Sequence, residues 1–118
     1  MTELFETEDV HDRRLVRGLS GLLGAFNEAG LLEAADVHVA QRLCSIVGET
    51  DETVALAVGV AVRAVRHGSV CVDLATVPDV APILPWPEVE GWSAAVGASP
   101  LVQAGAIRLE PRGRVAGT

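Results

Sequence analysis

Nine consecutive apolar residues, VALAVGVAV (residues 54–62), sit at the centre of this chain and continue into RAVRHG. Acidic and hydroxyl residues precede them in ETDET, where Thr50 or Asp51 can cap a helix. The segment between these signals runs to about His67, which is longer than a typical strand. Its valines lower helix propensity and make a strand the competing reading, but the length favours a helix. A helix apolar nearly all round, through Val54, Leu56, Val58, Val60, Val62 and Val65, is one that its neighbours must cover. Whatever else the chain does, it has to build a shell around this rod.

The material for that shell is narrow in kind. Apolar residues make up 49% of the 118 positions and aromatics 3%, so the core is built from Val, Leu and Ala. That length suits one domain. An acidic segment at residues 1–11, with Glu3, Glu6, Glu8 and Asp9, reads as a frayed, solvated end. Leu15, Leu19, Leu22, Leu23 and Phe26 then recur at helical spacing, and Gly30 provides the stop. Gly18, Gly21 and Gly24 weaken this helix unless another backbone approaches them closely. The next helix is expected to start at Asp36 as N-cap, to bury Val39, Leu43, Ile46 and Val47, and to end at Gly48.

After the central helix, Arg63, Arg66 and His67 fall in its last turn, where cations meet the negative end of the helix dipole. Gly68 suits the stop, and Val70, Val72 and Leu74 then alternate with Cys71, Asp73 and Ala75 as a strand does. TVPDVAPILPWPEVE holds Pro78, Pro82, Pro85 and Pro87 and reads as an extended surface loop. Pro87 then opens a short helix that turns Trp92 and Val96 inward. AIRLE (residues 106–110) alternates again and can pair with residues 70–74, while RGRVAGT after Pro111 reads as a flexible tail. The expected fold is mainly α: three main helices and one short helix, with a short antiparallel β-ribbon. Its domain spans residues 12–110, between the acidic end (1–11) and the tail (111–118).

Composition removes several functions. A net charge of −7 opposes binding to a phosphate backbone. All nine basic residues are arginine, so no Gly-Lys-Ser/Thr phosphate loop and no lysine Schiff base can form. The acidic N-terminus does not read as a signal peptide, and the apolar run is well short of the ~18 residues of a membrane span. Cys44 and Cys71 read as reduced thiols of a cytoplasmic protein.

The candidates for chemistry are few. His11, His38, Cys44, His67 and Cys71 could ligate a metal, but they lie scattered over several elements without local pairs. Cys71 and His67 would serve a nucleophilic enzyme only if the thiol were exposed and electropositive, whereas Cys71 lies between two valines. The structural reading, a helix ending and the chain reversing, accounts for both residues. No catalytic, cofactor or metal residue is therefore assigned. For partner binding the candidates are Trp86, held between prolines, and Trp92, which on a helix face more often belongs to a core.

Three stretches in order, AADVHVA, VRAVRHGSVCVDL and LPWP…W…SPLV, resemble the N-terminal domain of RecD, the alpha subunit of bacterial exonuclease V, in its actinobacterial form. The likeness covers about residues 20–110. The resemblance implies a non-catalytic domain that packs against a RecC-type subunit in a helicase–nuclease that processes double-strand breaks. It also implies that ATP and Mg are handled by motor domains that follow in the family. No position here matches the ATP loop, so the chain is expected to be a piece of a longer protein, without direct nucleic-acid or membrane contacts. A docking surface without its partner can also pair with itself as a homodimer. Two other readings remain open: a winged-helix-like DNA binder, from helices followed by a ribbon, and a small enzyme using Cys71 and His67.

Overall fold

A computed structural model describes residues 21–110 and 113–117 of the chain. Leu15, Leu19, Gly18, His11 and the acidic stretch lie outside the described residues. Helix α1 spans Gly21–Glu28, α2 Ala34–Val47 and α3 Glu52–Arg66. Strand β1 (Cys71–Asp73) and a 3-10 turn (Val77–Val80) follow, then α4 (Val89–Gly97), the short α5 (Pro100–Gln103), β2 (Ile107–Glu110) and β3 (Arg114–Gly117).

The rod at residues 54–62 is indeed a helix, and it is central. Asp51 caps α3 by accepting the Thr53 N–H at 2.8 Å. Val54 through Ala61 are then buried without a break. α1, α2, α4, β1 and β3 all pack against it. A β-carbon on Gly59 would come within 3.1 Å of Leu32, so glycine lets the α1–α2 connection lie close to the rod. The helix ends in a Schellman arrangement: Gly68, at φ 88°, gives its N–H to Val65, and Ser69 gives its N–H to Ala64.

The sheet departs from the expected ribbon. Residues 71–73 and 107–110 do not pair with each other; both pair antiparallel with β3, giving the order β1-β3-β2. The segment expected to be a flexible tail is thus the middle strand. Val72 and Leu109 both lie opposite Val115, whose side chain is completely buried. Arg114 sits in register between Asp73 and Glu110, a favourable placement of opposite charges. Local patterning missed β3 because RVAG carries one large apolar residue. Its order comes from strand edges whose amides and carbonyls need partners.

The Pro-rich stretch is more than an extended loop. It contains the 3-10 turn and buries Val77. The SPLV sequence forms α5, with Ser99 as a buried N-cap accepting the Leu101 N–H at 3.1 Å and proline in the first turn.

If β3 is the middle strand, Val115→Asp buries a charge in the core. Chemical denaturation should then show a loss of several kcal/mol, or no cooperative transition. A true tail would show no change.

Candidate functional site

In the stretch that most resembled a reactive cluster, at the α3–β1 turn, the Arg66 side chain is committed to structure. The Arg66 guanidinium reaches from the end of α3 to the start of α2. Its Nε donates to Asp36 Oδ1 at 3.1 Å and its Nη2 to Asp36 Oδ2 at 2.7 Å. Its Nη1 donates to Glu33 Oε2 at 3.1 Å. Asp36 is fully buried, and its Oδ2 also accepts the Glu33 N–H at 3.0 Å. Asp36 is therefore not the N-cap. Glu33 holds that position and Asp36 stands one turn in, reaching back to the cap and across to the arginine. The bond to Asp36, set against partial burial, raises the Arg66 pKa. A buried carboxylate needs such a bidentate cation, because unpaired it would carry a large desolvation cost.

His67 and Cys71 do not form a pair. His67 is exposed at the helix cap, with its Nε2 3.4 Å from Arg66 Nη1. Cys71 is half-buried on β1. Among the described residues no three His, Cys, Asp or Glu side chains converge on a metal-sized site. Cys44 lies inside α2's core face, where burial first and the nearby Glu49 charge second push its thiol up to about 11. No described helix is long and apolar enough to cross a membrane.

The two tryptophans act as props. Trp92 is buried in α4 and donates its Nε1–H to the Thr53 carbonyl at 2.6 Å, locking α4 to the first turn of α3. Trp86 is half-buried and donates its Nε1–H to the Ala81 carbonyl at 2.8 Å, closing the Pro-rich loop on itself. Its ring meets Phe26 edge-on at 4.6 Å and lies 6.0 Å from Trp92. Phe26, Trp86 and Trp92, the aromatic residues among those described, thus form one cluster. The loop they brace exposes Ile83 at its outer turn, 94% accessible.

The expected buried stripe of α2 is displaced. Val37, Ala40 and Cys44 face the core, whereas Val39 and Ile46 face outward, 40% and 67% exposed. Leu43 and Val47 of the expected stripe do pack against the core, half-buried, and the rest is displaced because α2 is apolar on more than one side. The readable signal was Ala40 and Cys44, small side chains that let α2 approach α3 closely.

The class of protein defined so far is a small, mainly helical domain closed by a three-stranded antiparallel sheet. Residues 28–111 match the family model described as RecBCD enzyme subunit RecD, N-terminal domain. The chain is 62% identical over 85 residues to RecBCD enzyme subunit RecD of Mycobacterium tuberculosis (strain ATCC 25618 / H37Rv), covering 70% of this chain and 15% of the relative. It is 57% identical over 83 residues to the RecD subunit of Mycolicibacterium smegmatis (strain ATCC 700084 / mc(2)155), covering 69% and 15%. No solved structure gives a significant match. The chain belongs to the RecD N-terminal domain family, in its actinobacterial form.

Two outcomes follow from this geometry. Arg66→Met leaves Asp36 buried without its cation and should cost about 3 kcal/mol in urea denaturation, the low end for a broken buried pair because Arg66 is one-third exposed. Replacing both partners by apolar residues should recover much of that loss. The raised Cys44 pKa means the folded state holds its proton more tightly than the unfolded chain. Stability is then fully present below about pH 9 and lost as pH rises toward about 11. Neither Lys nor Tyr titrates in that window, so Cys44→Ala should flatten a melting-temperature profile taken across it.

Proposed function

We propose that this chain is a non-catalytic docking domain. It holds a RecD-type subunit in a RecBCD-type helicase–nuclease by contact with the RecC-type subunit, during double-strand-break repair in the cytoplasm. ATP and Mg are then handled by other domains of the RecD-type subunit, and the domain itself touches no nucleic acid.

One observation carries this reading. Every buried side-chain polar group among the described residues has a hydrogen-bond partner, yet the domain leaves large apolar side chains on the surface, among them Val39, Ile46, Val65 and Ile83. Apolar surface of that kind marks contact with another protein. Family membership supports the same reading, since the relatives are named as subunits of a multisubunit enzyme. The acidic charge favours a protein partner over DNA. The reading that pairs Cys71 with His67 gains nothing from a turn in which the two side chains do not meet.

The test uses the 118-residue chain. It should bind the purified RecC-type subunit of the same organism, turn over no ATP and leave duplex DNA unbound. Measured ATP hydrolysis, or duplex affinity tighter than about micromolar at physiological salt, refutes the proposal.

A further inference from the structure

The described residues cover helix α2 on one side only. Val39 and Ile46 lie exposed on its outer side, and half-buried Leu43, four and three residues from them, sits between the two at the edge of the core. Leu43 also lines a shallow depression with Val62 and Val65 of α3, which runs to the start of β2 at Ile107. Leu43 is shared by this depression and by the concavity that Val39 lines, so the two adjoin as one apolar groove, with Val65 59% exposed at one end and the exposed Ile46 one turn along α2. On its outer rim, Arg42 and His38 border the concavity that Val39 and Leu43 share. Arg42 is exposed and makes no ion pair or hydrogen bond with any described residue. The contrast with Arg66, held by two carboxylates, is direct.

We infer that this groove seats an amphipathic helix of the partner subunit, whose apolar stripe carries a carboxylate placed opposite Arg42. This rests on the docking reading above and specifies its surface. The three- and four-residue spacing on α2 is what a packed helix meets when its ridges enter a neighbour's grooves. A cation that pairs with no described residue, on the rim of an acidic chain, sets the sign of the complement. A second copy is the poorer occupant. Packing α2 against α2 about a two-fold axis would oppose two chains of net charge −7 and bring the two Arg42 side chains together.

The experiment measures binding of the 118-residue chain to the purified RecC-type subunit of the same organism, with sedimentation of the chain alone beside it. Ile46→Asp and Arg42→Glu change exposed side chains, so their urea midpoints should match the parent. Each should weaken binding by about tenfold or more, and Arg42→Glu should also reduce the salt dependence. Ile83→Ser, on the Pro-rich loop, should bind as the parent does. If the parent binds and both groove variants bind equally well, the groove assignment is wrong while the docking reading stands. Loss of binding by Ile83→Ser alone moves the interface to the loop and overturns the assignment in the same way. A parent that does not bind removes both proposals. A dimer of the isolated chain that Ile46→Asp dissolves, with partner binding unchanged, makes the second copy the occupant and overturns the inference.

Discussion

A helix that is apolar on every side can exist in water only if other elements surround it, and in this chain that condition organises everything else. α3 is buried continuously from Val54 to Ala61, and the other elements are placed by their need to cover it. Burying its valines, leucine and alanines supplies the main driving force, at about 25 cal/mol for each Å² of apolar surface removed from water. Among the described residues the aromatic rings gather at one end of it, where Trp92, Trp86 and Phe26 join α4, the Pro-rich loop and α1.

Non-directional burial does not set the angle or register at which covering elements pack. Here polar links between the two ends of the rod and its neighbours do so. At the start of α3, the Thr53 carbonyl receives Trp92, and Glu52 accepts the Leu22 N–H at 3.0 Å, tying down the first turn of α1. At the far end, Arg66 clamps the first turn of α2 through Asp36 and Glu33. The buried carboxylate makes this clamp directional, since only a guanidinium in that position satisfies both oxygens. Arg66, one of the groups that looked most reactive in the sequence, is consumed in this way, whereas Arg42 pairs with no described residue.

Much of the outline was legible from local patterns. The central helix, its Asp51 cap, its stop at Gly68, the alternation of β1 and the inward turn of Trp92 and Val96 each depend on neighbours within a few residues. So does the family resemblance, carried by the helix start, the helix-to-strand turn and the SPLV segment. The failures share a different character. Asp36 was placed at the cap because an acid before an apolar run usually caps; its partner lies thirty positions away, in Arg66. RVAG carried no strand signal because its order comes from two flanking strands.

The sequence by itself determined that an interior rod must exist, what material covers it, and that no lysine-dependent nucleotide chemistry can take place on it. Those properties follow from residue types and short-range periodicity, which act before the chain closes on itself. Only the tertiary structure decided which face of α2 points inward, that Arg66 belongs to Asp36, and that the final strand is the middle of the sheet. Each of these is a choice between alternatives that are locally equivalent. The choice is made by desolvation and pairing between segments distant in the chain, which come into contact only in the folded state.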